Sequence, residues 1–199
     1  MPARDVSLDG VDTPEGISGS VLLIGFGRVG QIVSQPLLAR GHSLSIIDSN
    51  PDAVRDAGTF GFKVWYGDGS RLDILHAAGA AEAGLIIAAA DDKEAVSRIV
   101  EIVKSEFPMV PVLARAFDRE HALELAHAGA DFQIRETFES TMRMTREALI
   151  RLGDTPEDAD ELMDGFRARD AERFSVEVTG GIFAGVSMLI GNIDKPGAH

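Results

Sequence analysis

Short apolar runs alternate with amphipathic segments along most of this chain. Each run spans a few residues, and the first four are stopped by glycine or aspartate, which is typical of buried strands in a parallel sheet. The runs predict strands over Val21–Ile24, Leu44–Asp48, Phe62–Tyr66, Leu85–Ala90, Val110–Ala114 and Asp131–Ile134. The intervening segments predict helices over Arg28–Arg40, Pro51–Phe60, Leu72–Ala78 and Arg119–Gly129, and one that is capped by Asp91 or Asp92 and extends to about Phe107. Strands that each lead into a helix predict an α/β fold with a doubly wound parallel sheet.

The pattern changes after Glu136. Apolar side chains at helical spacing predict a helix over 136–152 that carries its apolar face beyond the sheet. A strongly acidic helix is predicted over Pro156–Arg173, with a strand over Phe174–Val178 after it. We therefore predict a flexible lead or linker over 1–19, the sheet domain over 20–135, a helical extension over 136–175 and a glycine-rich apolar tail over 176–199.

Composition and charge exclude several classes of protein. The chain has 199 residues, which suits one domain with an extension, and it contains no cysteine. Disulfide scaffolds, thiolate metal sites and catalytic thiols are therefore excluded, and we expect no metal site. A net charge of −13 argues against nucleic acid as a partner, because phosphate contacts need clustered Lys and Arg. With no apolar run of ~18 residues and no signal peptide, we expect a cytoplasmic domain.

A glycine-rich loop follows the first predicted strand. Residues 25–30 read G-F-G-R-V-G and match the pattern G-x-G-x-x-G, directly before a helix. Gly25 would make the tight turn, Gly27 would admit a pyrophosphate, and Gly30 would let helix and strand pack closely. Asp48 closes the second strand about 20 residues on, where an acid binds ribose hydroxyls. A tight turn without a ligand explains one or two of the glycines but not Asp48, so we predict dinucleotide binding.

The acidic side chain at the second strand also selects the cofactor. The Asp48 carboxylate would repel a 2′-phosphate, which favours NAD(H) or an adenine nucleotide over NADP(H). Asp68 closes the third strand at the same edge and would either contact adenosine or cap the following helix. Arg28 would either meet phosphate charge or remain a solvated surface residue.

Catalytic residues are not evident. The five histidines are expected in a turn, in helices as surface or packing residues, or at the terminus. No H-E-x-x-H or G-x-S-x-G motif occurs, so we predict a nucleotide-sensing module and not an enzyme. The alternatives are a small NAD-dependent oxidoreductase and a dimerisation module that does not sense nucleotide.

Several blocks of sequence resemble one family. Residues 25–31 (GFGRVGQ), 66–73 (YGDGSRLD) and 77–80 (AAGA) are similar to RCK domains, the Trk N-terminal domains that regulate potassium conductance. Residues 114–116 (ARA) and 135–139 (RETFE) resemble most closely the C-terminal domain of Kef-type potassium/proton antiporters. The resemblance covers about residues 20–152.

This resemblance implies a Rossmann-like homodimer that gates a monovalent cation (potassium):proton antiporter in response to NAD(H), AMP or ATP. The helix over 136–152 would then be the dimer interface, through Phe138, Met142 and Leu149. The nucleotide contacts carried over are Gly25, Gly27, Arg28, Gly30, Asp48 and Asp68, with Phe26, Val29, Ser49 and Gly69 beside them. Kef-type chains carry an antiporter domain ahead of this one. The chain is thus expected to be a separate subunit, a fragment or the product of a truncated gene, held at the inner face of the plasma membrane by a transporter partner.

The resemblance also implies a glutathione site at the dimer interface. Phe60 and Arg135 match two of its contacts, although Arg135 could equally form an ion pair with Glu136 or Glu139 of the other subunit. Asp170 and Glu177 stand near the places of an expected asparagine and histidine. Two carboxylates repel an anionic ligand, so we expect nucleotide sensing to be kept and glutathione binding to be weakened.

Overall fold

Six strands form one parallel sheet in the order β3-β2-β1-β4-β5-β6. The computed structural model describes residues 12–14 and 19–189. The strands are β1 (Val21–Ile24), β2 (Leu44–Asp48), β3 (Trp65–Tyr66), β4 (Leu85–Ala88), β5 (Val112–Ala116) and β6 (Phe132–Arg135). The predicted doubly wound sheet is confirmed, with β1 and β4 side by side at its centre.

Five helices connect the strands and cover the sheet. They are α1 (Arg28–Ala39), α2 (Pro51–Thr59), α3 (Leu72–Ala77), α4 (Lys93–Glu106) and α5 (Arg119–His127). Asn50, Asp92 and Asp118 cap α2, α4 and α5 by accepting bonds from first-turn amides. These caps fix where the helices begin, immediately after the carboxyl ends of the strands.

Four predicted strands differ from the observed ones at their ends. Strand β4 ends at Ala88 rather than Ala90, and β6 begins and ends one residue later than predicted. Strand β5 begins at Val112 rather than Val110, because Pro111 has no amide to donate to the ladder. The carbonyl of Pro111 still accepts a bond from the Ile86 amide at 2.9 Å, so the chain enters the sheet here. Strand β3 is reduced to Trp65 and Tyr66, which pair with the last residues of β2.

The chain divides into two compact units at the boundary between Arg135 and Glu136. The second unit contains α6 (Phe138–Leu152), α7 (Pro156–Gly180) and a 3-10 turn over Val186–Met188. The predicted strand over Phe174–Val178 is wrong, because those residues continue α7. Arg173 donates from Nε to Oε1 of the fully buried Glu177 at 2.7 Å, a contact one helical turn apart.

The described part of the predicted lead segment lies against the sheet edge. The carbonyl of Asp12 accepts a bond from the Tyr66 amide at 2.7 Å, and Pro14 is buried. The rest of that segment, apart from Gly19, lies outside the described residues, as does the predicted tail beyond residue 189. Within the described residues, no helix has both the length and the apolar character needed to cross a membrane.

Candidate functional site

The loops that follow β1 to β4 meet at the carboxyl edge of the sheet and enclose a cleft. Strand order reverses between β1 and β4, and ligands of open α/β sheets bind at this kind of switch point. The cleft has a volume of about 240 Å³. It is lined by Ile24, Gly25, Gly27, Asp48, Ser49, Asn50, Gly67, Asp68, Gly69, Ala90, Asp91, Asp92, Ala95 and Ile99.

The glycine loop is tightly packed against its neighbours. Gly25 has φ +96°, and a Cβ there would lie 2.6 Å from the backbone nitrogen of Ala90. A Cβ on Gly30 would lie 2.0 Å from the carbonyl oxygen of Gly25. Gly25 thus makes the turn and Gly30 lets the helix approach the loop, in the roles that the sequence predicts.

Asp48 holds the glycine loop in place. Its Oδ2 accepts a bond from the Phe26 amide at 2.6 Å, and its Oδ1 accepts one from the Asn50 amide at 2.7 Å. Each carboxylate oxygen has two lone pairs, so both can still accept from a ribose hydroxyl. The sequence places Asp48 at the strand end, but the structure adds this structural role, which does not itself require a ligand.

The first turn of α1 faces the cleft without a cap. Its N-cap residue is Gly27, and among the described residues no side chain caps the first-turn amides. By contrast, α2 and α4 begin at the same edge and are capped by Asn50 and Asp92. Uncapped amides and the helix dipole favour an anion at the start of α1.

The third strand supplies a second acidic loop. Oδ1 of Asp68 accepts bonds from the Ser70 amide at 2.9 Å and from the Ser70 hydroxyl at 2.7 Å. Asp68 does not cap α3, whose N-cap is Arg71. Gly69 packs so closely that its Cβ would lie 2.4 Å from Cγ2 of Ile24. Asp68, Gly69 and Ser49 therefore all line the cleft beside Asp48.

Three other residues of the predicted set, Phe26, Arg28 and Val29, do not line the cleft. The ring of Phe26 is buried and packs on Phe62, with the centroids 5.0 Å apart. Val29 packs against the same hydrophobic core. Arg28 is exposed at the start of α1 and does not line the cleft. The part of the glycine loop that lines the cleft is Gly25 and Gly27, and the predicted contact of Arg28 with phosphate stays a prediction.

Sequence reasoning missed an ion pair beside the glycine loop. The Arg115 side chain is 6% exposed, and its Nη1 is bonded to Oδ1 of Asp91, whose side chain is 65% exposed. The same nitrogen contacts the carbonyl oxygens of Ala89 and Ala90, at 3.5 and 3.4 Å. Oδ2 of Asp91 lies 3.2 Å from the position of a Cβ on Gly27. An arginine inside an apolar strand is the signal that could have indicated this pair, because buried charges are rarely unpartnered.

His121 is a packing residue, as predicted. Its ring is buried, with Nδ1 accepting from the Phe117 amide and Nε2 lying 3.1 Å from the Ser97 hydroxyl. Burial, assisted by the positive charge of Lys93, lowers the pKa of His121. The neutral ring ties α5 to α4 and to the loop after β5, and it does not line the cleft.

Phe60 and Arg135 are not brought together within one chain. Phe60 is 81% exposed at the end of α2, beside the edge strand β3. Arg135 ends β6, the opposite edge strand. A ligand that used both residues would have to lie between two chains.

The predicted interface residues of α6 differ in their exposure. Phe138 is half-buried, and its ring stacks on Phe166 with the centroids 6.5 Å apart. Met142 is buried within the single chain, whereas Leu149 is half-buried. The most exposed apolar side chains of this helix are Met144 at 68% and Leu152 at 84%.

Comparisons with known proteins agree with this geometry. The chain is 43% identical over 171 residues to a glutathione-regulated potassium-efflux system protein of Haemophilus influenzae, covering 86% of this chain and 28% of that protein. It is 40% identical over 158 residues to the glutathione-regulated potassium-efflux system protein KefC of Escherichia coli O139:H28, covering 79% of this chain and 25% of that protein. The chain thus spans about a quarter of the length of these curated relatives.

A solved structure shares the fold over most of the chain. It is the Kef C-terminal domain of Shewanella denitrificans in an AMP-bound form, with 34% identity and a TM-score of 0.70. The match covers 80% of this chain and 97% of that one. The family model of the TrkA-N domain matches residues 21–136, which include the glycine loop, Asp48 and all six strands. The resemblance found in the sequence is thereby confirmed, and the chain belongs to the TrkA-N domain family.

Proposed function

We propose that this chain is a nucleotide-binding regulatory domain of a potassium efflux system and that it controls potassium:proton antiport. One observation carries the proposal. The cleft combines an uncapped helix start with Asp48 bonded to the glycine loop, in a chain that is 34% identical to a Kef C-terminal domain in an AMP-bound form. The relatives are potassium-efflux proteins of which this chain matches one part, so we propose a membrane transporter domain as its partner at the inner face of the membrane.

We propose a role for each part of the cleft. The phosphate would lie on the first-turn amides of α1, over Gly27. The ribose hydroxyls would donate to Asp48, with Ser49 beside it. Asp68 and Gly69 would contact the adenosine half, because they close the neighbouring strand at the same edge.

A regulatory role agrees with the hydrogen bonds and the ion pair that the four aspartates of the cleft already make. Asp48 and Asp92 accept bonds from backbone amides, Asp68 accepts from Ser70, and Asp91 is paired with Arg115. Carboxylates held as acceptors bind and orient a ligand but are poorly placed to donate a proton. We therefore propose a sensing site without catalysis.

AMP should raise the thermal midpoint of the purified chain. At a concentration of about 100 Kd, the gain is about 2.7 kcal/mol, or roughly 5–10 °C for a domain of this size. Differential scanning fluorimetry with AMP, ATP and NAD(H) in turn measures this shift. Inorganic phosphate is the control, because it offers an anion without a nucleoside. A midpoint that none of these nucleotides moves would contradict the proposal.

We further propose that the second unit forms a homodimer through α6. Met144 and Leu152 are both exposed on α6, and exposed apolar side chains on one helix favour contact with a partner. If the partner is a second copy of this chain, the dimer contains two regulatory sites.

Met144→Asp should convert the dimer to a monomer, because it places a charge in the apolar contact. Sedimentation velocity measures the change. Met109→Asp is the matched control, since Met109 is 91% exposed in the loop before β5 and lies outside α6. A wild-type chain that sediments as a monomer at all concentrations would refute the dimer.

A further inference from the structure

We propose that Asp91, held by Arg115, makes the cleft select nucleoside monophosphates over di- and triphosphates. This inference rests on the proposed function and specifies the ligand class of the same cleft. It concerns the phosphate end of the ligand. Asp48 and Asp68 are proposed to contact the ribose and the adenosine half instead.

The fold sets the direction in which a longer phosphate chain must run. Strand β1 lies between β2 and β4 in the sheet, and the glycine loop follows β1. Asp48 stands on the β2 side of this loop, bonded to the Phe26 amide, and Asp91 stands on the β4 side. A nucleotide with its ribose on Asp48 and its first phosphate on α1 must therefore extend further phosphates toward Asp91.

The space beside Gly27 on that side is occupied by a carboxylate. Oδ2 of Asp91 lies 3.2 Å from the position that a Cβ on Gly27 would take. Gly27 itself leaves room for one phosphate to approach the backbone. A second phosphate would lie within a few ångströms of the Asp91 oxygens, and like charges at that distance repel each other strongly when partly shielded from water.

The ion pair with Arg115 fixes the orientation of this charge. Arg115 is almost fully buried, whereas most of the Asp91 side chain is exposed, and Asp91 lines the cleft. The pair thus presents its negative end to the ligand and its positive end to the protein interior. Contacts of Arg115 with the carbonyls of Ala89 and Ala90 keep the guanidinium behind the cleft wall.

The remaining lining does not compensate the acidic charge. Four aspartates line the cleft, and no Lys or Arg is among the described residues that do so. The first phosphate is stabilised by the amides and dipole of α1, which act only within the first turn. Each added phosphate brings a further negative charge to a position without such donors.

Removal of the Asp91 charge should reverse this selection. In Asp91→Asn the amide oxygen still accepts from Arg115, but the positive charge of the guanidinium is no longer neutralised. Isothermal titration with AMP, ADP and ATP, in EDTA so that no divalent cation masks the phosphates, measures three dissociation constants for each variant. We expect the wild type to bind AMP most tightly, and Asp91→Asn to raise the affinity for ATP relative to AMP by roughly tenfold.

Two variants control the experiment. Asp91→Glu keeps the charge and should keep the preference for AMP. Asp56→Asn removes one charge from an exposed site on α2 that does not line the cleft, and it should leave the ratio of affinities unchanged. Asp91→Ala removes the same charge without an amide and replaces Asp91→Asn if that variant does not fold.

The outcomes separate the two proposals. Wild-type protein that binds none of the three nucleotides overturns the proposed function, and the selection with it. Wild-type protein that binds ATP as tightly as AMP overturns the selection alone. An AMP-to-ATP ratio that is the same in Asp91→Asn and in Asp56→Asn also overturns the role of Asp91.

Discussion

Gly30→Ala is expected to lower the free energy of unfolding by about 3 kcal/mol and to abolish nucleotide binding. The added methyl group would lie 2.0 Å from the carbonyl oxygen of Gly25 and 3.0 Å from its carbonyl carbon. Both atoms belong to the backbone, so no side-chain rotation can relieve the contact. The loop must move away from α1, and this movement separates the phosphate amides from Asp48.

Gly58→Ala is the matched control for this substitution. Gly58 also lies in a helix, α2, but within the part of the chain that the structure describes no neighbouring atom lies within 4 Å of the position that its Cβ would take. Alanine is the better helix former, so this variant should gain about 0.5–1 kcal/mol. Urea unfolding measures both stabilities, and AMP titration measures binding. If Gly30→Ala is as stable as Gly58→Ala and binds AMP normally, the close approach of α1 to the loop is refuted.

The fold was predictable because each strand and helix is indicated by a sequence pattern within its own few residues. Strands β1 to β4 are short apolar runs followed or closed by glycine or aspartate, and three of the helices between strands begin at a capping side chain, Asn50, Asp92 or Asp118. The positions of the glycine loop and Asp48 followed from the same pattern, since both come directly after strands that must be neighbours. Because the carboxyl ends of parallel strands lie at the same edge of the sheet, the glycine loop and Asp48 are expected to lie close together.

Contacts between distant parts of the chain were not predictable in this way. Asp91 and Arg115 are 24 residues apart, and only the pairing of β4 with β5 places one beside the other. Residues 114–116 contributed to the family resemblance, but their sequence does not indicate which acid the arginine contacts. The bonds from the Phe26 and Asn50 amides to Asp48 likewise depend on loop geometry.

The end of α7 shows how a local pattern can mislead. Residues 174–178 alternate apolar and polar side chains, which is typical of a strand. Glu177 is nevertheless buried and paired with Arg173 one helical turn earlier. A Cβ on Gly185 would lie 2.6 Å from Cγ of Arg173, so the following segment packs directly over this pair. The helix is selected by this later packing, which the alternation does not indicate.

Asp48→Asn should weaken AMP binding about 100-fold and should also destabilise the protein without nucleotide, by about 1–3 kcal/mol. Both carboxylate oxygens accept bonds from backbone amides, Oδ2 from Phe26 and Oδ1 from Asn50. Asparagine has one oxygen, so its NH2 group must face one of the two backbone amides, and that amide loses its hydrogen-bond acceptor. The loss of charge also removes an acceptor from the ribose hydroxyls.

The two measurements distinguish the two roles of Asp48. Urea unfolding without nucleotide reports the bonds that hold the loop, whereas titration with AMP reports the ribose contact. Asp52→Asn is the control, because the Asp52 carboxylate is 78% exposed and paired with Arg55 on the surface of α2, so its stability should change by less than about 0.5 kcal/mol. Lost stability with unchanged AMP affinity would show that Asp48 only anchors the loop. The ribose would then have to be bound elsewhere, and the orientation that directs further phosphates toward Asp91 would be lost with it.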